Sequence, residues 1–295
     1  MDAVVRSPTP TAGLFRDPAW VASGRYELKG LLGGGATSRV YAAYDHVQAR
    51  EVAVKIALAH APPQYRERIV REGRLLRAVR HAALVEMLDV GLLDDTRPYL
   101  VMRRVYGEPL SEALSARGGR LAWQEAIPIL IGVLDALSVL HGAGIVHRDV
   151  KPANVMMVRH DRAVVVDLGF ALGPQAGPRL TPDGRVVGTP GFIAPEVLTA
   201  SADARPSADV YAVGVMAYLM LAGRMPYRGE IAAILQQVLT GPPPDLMREV
   251  PELPTSLAAV VTRAMARGAT DRYRDAGLMA RAFREALDRL AAGEL

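Results

Sequence analysis

Apolar positions along the chain change their period near residue 107, and the change divides the sequence in two. Between residues 25 and 58, apolar and polar residues alternate around a glycine cluster, the period-2 pattern of half-buried strands. Strands are expected at Tyr26–Leu32, Arg39–Asp45 and Glu51–Ala57. From Pro62 to Val79 the period becomes helical, with Ile69, Leu75, Leu76 and Val79 at helix-like spacings. Two strand-like runs follow, Leu84–Gly91 and Pro98–Met102. After Gly107 the chain reads as mainly helical. Trp123–Gly142 is a strong helix, with Pro128 tolerated near its first turns. Val155–Val158 and Ala163–Val166 read as strands around a turn at Arg159–Arg162. Gly169 to Gly191 holds too much Gly and Pro for regular structure. Apolar helices are expected at about 208–222, 230–240, 255–266 and 276–291. Residues 1–24 are rich in Pro, Ser, Thr and Gly, show no period, and read as a flexible tail. The whole pattern predicts an α+β protein with a small β-rich lobe ahead of a larger α-helical lobe.

Composition narrows the class. Half of the 295 residues are apolar, enough for a substantial core. The apolar run Ile127–Leu140 is short for a membrane span and carries Asp135, so it reads as a buried helix. Arg6, Pro8 and Pro10 break any signal-peptide core. There is no cysteine, hence no disulfide framework, thiolate metal site or thiol nucleophile, which fits a cytoplasmic protein. The net charge of +4 comes from dispersed basic residues without aromatic interleaving, so no nucleic-acid partner is expected.

Candidate chemistry begins at Leu32-Gly33-Gly34-Gly35-Ala36-Thr37-Ser38-Arg39-Val40, between the first two strands. Small residues let backbone amides approach phosphate oxygens. An ordinary hairpin turn would look the same on this motif alone. The loop lacks the Gly-Lys-Ser/Thr ending of a Walker loop, and no helix follows it as a dinucleotide site requires. Val52-Ala53-Val54-Lys55 then places a lysine on the third strand, with Ala53 on the same face.

The most specific motif is His147-Arg148-Asp149-Val150-Lys151-Pro152-Ala153-Asn154. Asp167-Leu168-Gly169 and Gly188-Thr189-Pro190-Gly191-Phe192-Ile193-Ala194-Pro195-Glu196 follow it. In this order, with the glycine loop and strand lysine, the motifs resemble the protein-kinase family, in its bacterial eukaryotic-like serine/threonine branch. The resemblance covers about residues 25–290. It implies a two-lobed kinase domain over 25–295, with the N-lobe at about 25–102, a hinge at 103–107 and the C-lobe at 108–295. The implied activity is transfer of the ATP γ-phosphate to Ser or Thr hydroxyls of protein substrates, with Mg²⁺ or Mn²⁺.

Residue by residue, the resemblance makes Asp149 the catalytic base and Lys151 the stabiliser of the transferring group. Lys55 becomes the phosphate lysine and Glu72, with Glu67 as the alternative, its helix partner. Asn154 and Asp167 are the implied metal ligands. The nucleotide would lie against residues 32–40, Ala53, Lys55 and Met156, with the hinge residues Met102, Arg103 and Val105 beside the adenine. Thr189 would contact Asp149 and Lys151. Arg148 would receive an activation-segment phosphate, with Thr181 the expected autophosphorylation site. An internal apolar stack would comprise Leu76, Leu88, His147 and Leu168. Arg272 would pair with Glu196, and Asp209 would anchor the catalytic loop. Gly73 reads as a weak point in the first helix. Two departures are noted, Leu168 in place of the usual Phe and Ser38 in place of the third loop glycine. A nucleotide-binding pseudokinase scaffold is the rival reading, but it usually lacks Asp149, Asp167 or Lys55, and all three are present. A small-molecule phosphotransferase would lack the Ala-Pro-Glu segment. A dimer through the N-lobe or activation segment is compatible with the sequence. The chain ends soon after its last helix, so no sensor or membrane portion is expected.

Overall fold

The computed structural model describes residues 17–35, 38–58, 63–159, 162–167, 179–180, 186–187, 189–199 and 205–293, with backbone alone at 63–68, 72, 179–180 and 186–187. Its first lobe is a twisted antiparallel sheet. The strands are β1 (Trp20–Val21), β2 (Tyr26–Gly34), β3 (Ser38–Asp45), β4 (Arg50–Ala57), β5 (Met87–Leu92) and β6 (Pro98–Arg103), and they lie in the order β1-β2-β3-β4-β6-β5. Helix α1 (Pro63–Leu76) connects β4 to β5 and packs on β5 and β6. Alternation along β4 sets the two faces: Ala53 joins the core shared with the second lobe, and Val52, Val54 and Ile56 fill a separate core with Tyr26, Tyr99 and Val101.

Gly73 has a packing role where the sequence suggested a helix weakness. A Cβ there would stand 2.9 Å from Val90 Cγ2 and 3.3 Å from Leu100 Cδ2. The missing side chain lets α1 approach the sheet, and that close packing sets against the propensity cost of about 1 kcal/mol.

The chain leaves β6 through residues 104–107. Gly107 has φ +157°, and a Cβ there would collide with the Met157 carbonyl. The second lobe follows as β7 (Glu108–Pro109), α2 (Leu110–Ala116), α3 (Trp123–Gly142), β8 (Val155–Arg159) and β9 (Arg162–Val165). The short strands β10 (Arg179–Leu180) and β11 (Val186–Val187) pair antiparallel, a ladder inside the stretch expected to be irregular. Then come α4 (Pro195–Leu198), α5 (Pro206–Ala222), α6 (Ile231–Thr240), α7 (Leu246–Glu249), α8 (Thr255–Ala264) and α9 (Ala276–Ala291).

Helix α5 is apolar all round because it is buried almost throughout, with α3, α8 and α9 packed on it. By length and mean hydropathy, 1.5, α3 could cross a membrane; here Ile127, Leu130, Val133, Leu134, Leu137 and Leu140 are fully buried in the second lobe's core.

One boundary moves. Residues 17–24, assigned to the tail from composition, belong to the first lobe. β1 pairs with β2, and Leu28 N donates to Ala19 O at 2.8 Å. Backbone pairing here overrides Pro and Gly content. The two lobes are also joined behind the cleft, where Val85 N donates to Val165 O and Val165 N to Ala83 O, each at 2.9 Å.

Candidate active site

The loop after α3 is built on a buried carboxylate. Asp209, on α5, accepts from the backbone N–H of His147 and of Arg148 at 2.8 Å each, and from His141 Nε2 at 2.9 Å. Burial disfavours its charge, but these donors outweigh burial and hold the Asp209 carboxyl below the usual range. His141 is itself fixed, since its Nδ1 accepts from Ala276 N at 3.2 Å. The loop is held in an uncommon shape, with Arg148 at φ +70°. That turn aims Asp149 into the cleft.

Asp149 is 5 % exposed and sits among donors. Lys151 Nζ lies 3.0 and 2.8 Å from its two carboxylate oxygens. Asn154 Nδ2 donates to Asp149 Oδ2 at 2.8 Å and to the Asp149 carbonyl at 2.7 Å. The Asn154 amide nitrogen is thereby committed, which leaves its carbonyl oxygen as the atom it can offer a metal. Val166 N donates to Asn154 O at 3.0 Å, so the backbone sets Asn154 beside the strand end that carries Asp167. Across the cleft, Lys55 Nζ pairs with Asp167 Oδ1 at 2.5 Å, and the lysine side chain is 7 % exposed.

The roof of this cleft fits a nucleotide. β2 and β3 form a hairpin closed by Gly35 N donating to Ser38 O at 2.9 Å. A Cβ at Gly33 or Gly35 would meet nothing within 4 Å, and none of Gly33, Gly34 and Gly35 has positive φ. The packing of the described residues therefore does not require these glycines, and their bare backbone is open to the close approach that a phosphate would need. Leu32 is half exposed, Val40 packs on the shared core, and Ala53 lies opposite Met102 in the β4–β6 ladder. Arg103 points outward while its N–H donates to Glu86 O, and among the described residues the Val105 N–H has no acceptor. A hinge amide free to donate suits a base read through backbone atoms. Met156, half-buried on β8, carries the side chain expected on the opposite side.

A family model described as the protein kinase domain matches residues 26–274. The chain belongs to the protein kinase family. The probable serine/threonine-protein kinase PknB of Corynebacterium glutamicum is 38% identical to it over 274 residues, 88% of this chain and 42% of that protein. Serine/threonine-protein kinase PknA of Mycobacterium tuberculosis is 34% identical over 262 residues, 86% of this chain and 59% of that protein. The chain thus spans about half the length of these relatives. The crystal structure of the M. tuberculosis PknI kinase domain superposes with a TM-score of 0.73 at 27% identity, over 92% of this chain and 100% of that one.

Within this kinase domain, Asp149, Lys151 and Asn154 form one hydrogen-bonded group, and Lys55 and Asp167 form a second. Arg272 meets Glu196 with two parallel bonds of 2.8 and 2.9 Å and also donates to the carbonyls of Ala266, Arg267 and Ser207, so the Ala-Pro-Glu segment is pinned to the second lobe. The Glu72 and Glu67 side chains, Ala36, Thr37, Leu168 and Thr181 lie outside the described residues.

Two expectations are corrected. Thr189 is exposed, and among the described residues its hydroxyl bonds neither Asp149 nor Lys151, because it faces solvent. In the apolar stack, Leu88 packs with the Tyr26 cluster, while its neighbour Met87, 1 % exposed, shares a core with Leu76. The register shift between Met87 and Asp89 made this one-residue choice invisible to spacing. Sequence reading also passed over His141 and Asp17. No local motif marks either residue.

His147 supplies a pH prediction. It is fully buried, and burial lowers its pKa despite the nearby Asp209, Asp167 and Asp149 carboxylates. Its Nδ1 accepts from Asp149 N at 3.3 Å, which also favours the neutral ring. In the unfolded chain the imidazole gains its proton near pH ~6.5. Below that pH the unfolded state binds more protons, so stability is full above it and falls toward the lower folded value. Melting curves from pH 7.5 to 5.5 are expected to show a declining Tm, with a shallower decline in His147→Phe. Equal slopes in the two proteins would contradict this assignment.

Proposed function

We propose that this chain is an ATP-dependent serine/threonine protein kinase. The observation that carries the reading is the Asp149 carboxylate, buried at the cleft floor and held by Lys151 and Asn154. Asp149 orients the acceptor hydroxyl and takes its proton as the oxygen attacks. Lys151 offsets the charge that spreads over the transferring group. Lys55 exchanges its contact with Asp167 for phosphate oxygens, and the hairpin amides of Gly33, Gly34, Gly35 and Ser38 cover them. Asp167 and the Asn154 carbonyl would hold Mg²⁺, and this hard-oxygen donor set suits that ion. A bound divalent ion supplies charge neutralisation along the phosphates.

Lys151, two residues after Asp149, favours Ser and Thr acceptors over Tyr, as do the names of the relatives. The built Glu196–Arg272 segment favours a protein acceptor over a small molecule. Arg148 and Thr189 remain regulatory candidates with Thr181, which we place as the autophosphorylation site. An ATP-fed, cysteine-free domain fits the cytoplasm. The test is to incubate the protein with γ-labelled ATP, Mg²⁺ and a protein acceptor, then identify the labelled residue after hydrolysis. Phosphoserine and phosphothreonine are expected. Label on tyrosine alone, or only on small-molecule acceptors, would overturn the reading.

A further inference from the structure

The segment before β1 lies across both strands of the glycine hairpin. Residues 19–21 pair with β2, and Asp17 reaches β3. The Asp17 carboxylate is 6 % exposed and collects three donors: Tyr41 Oη at 2.5 Å, Arg39 Nη1 at 2.9 Å and Arg97 Nη1 at 2.5 Å. Burial works against its ionisation, but the three donors outweigh burial and hold the carboxyl below its usual range. Arg97, itself 4 % exposed in its side chain, also pairs with Asp95 at 2.8 Å, in the turn between β5 and β6.

Arg39 and Tyr41 project from one face of β3, and Val40, between them, turns to the nucleotide side. Arg39 pairs in register with Gly34, and Arg39 Cγ lies 3.6 Å from where a Gly34 Cβ would be. The ladder pairing therefore links Asp17, through Arg39, to the glycine loop.

We propose that Asp17 is a positioning residue: it straps the glycine hairpin from outside, keeps the Arg39 guanidinium turned away from the phosphates, and sets the loop at the height that nucleotide binding needs. The consequence for catalysis rests on the kinase reading above; the strap itself does not. The strap restrains ground-state nucleotide binding and the reacting geometry equally, so its loss raises KM and spares kcat.

The test compares Asp17→Asn, Asp17→Glu and Asp95→Asn with the wild type. Asp95→Asn loosens the same ion cluster on the side away from the hairpin and serves as the control. Hydrogen–deuterium exchange without nucleotide is expected to quicken over residues 30–40 in Asp17→Asn, with α5 unchanged. KM and Kd for ATP are expected to rise about tenfold, with kcat within about twofold. Asp17→Glu should recover part of the loss, and Asp95→Asn should leave KM as it was. Unchanged exchange over 30–40 in Asp17→Asn overturns the strap. Equal effects of Asp95→Asn and Asp17→Asn overturn it too, since they mark a general loss of stability. A wild type that binds no ATP would instead sink the kinase reading, while the exchange comparison still decides the strap.

Discussion

Asp149→Asn is expected to lower kcat for phosphotransfer by about 10²–10⁴-fold while nucleotide affinity stays within about twofold. Asparagine keeps the volume and planar shape of the carboxylate, so Lys151 and Asn154 retain a neighbour to bond. It keeps one oxygen that can orient an acceptor hydroxyl, but it cannot take the proton. The roof elements (Leu32, Val40, Ala53 and Lys55 on β2–β4, and the Val105 amide in the connection after β6) stand apart from the loop that carries Asp149 and are untouched. The loss should fall on the chemical step and leave binding intact. Steady-state turnover beside titration with a fluorescent ATP analogue separates the two. A variant with near-normal turnover would remove Asp149 from its role, and one that also lost nucleotide would point to a disrupted loop.

Asp209→Asn should damage stability and turnover together. The carboxylate satisfies two backbone N–H groups and one imidazole N–H inside the protein. Asparagine fits the space, but one of its two terminal atoms becomes an NH₂ facing donors. Either the Arg148 N–H, which bonds Oδ1, or the His147 and His141 pair, which bonds Oδ2, then loses its acceptor. A buried donor left without its acceptor costs about 1–3 kcal/mol. In a domain of this size that corresponds to a Tm lower by on the order of 5 °C. Arg148 is also held at φ +70°, a conformation costing about 1–3 kcal/mol, and Asp209 is what holds it. Its release would move Asp149 as well. Differential scanning fluorimetry and turnover, both measured below the variant's own transition, check the two effects. Wild-type melting in Asp209→Asn would mean the loop is positioned by something else.

The candidate site's arrangement was legible where it is local. Asp149, Lys151 and Asn154 fall within six residues, and such spacing leaves a loop few ways to arrange them; the structure brings all three into contact. The face of Lys55 followed from strand period alone. Long-range partners were not legible. His141 closes an apolar helix and looks like a polar end residue until Asp209 is placed 2.9 Å away, 68 positions later. Asp17 sits among Pro, Gly and Ser, whose composition argued for a tail, and its partners lie on two separate segments, β3 and the turn before β6. Gly73 shows propensity giving way to packing, since Val90 occupies the space a side chain would need.

The central claim is that the Asp149 group performs phosphotransfer to protein and is not a relic on a nucleotide-binding scaffold. The most direct measurement is a time course of γ-phosphate label moving from ATP to a protein acceptor, with the wild type and Asp149→Asn both shown to bind ATP. Label that accumulates over many turnovers with the wild type alone is the expected result. Firm ATP binding by both proteins, with no transfer by either, would contradict it.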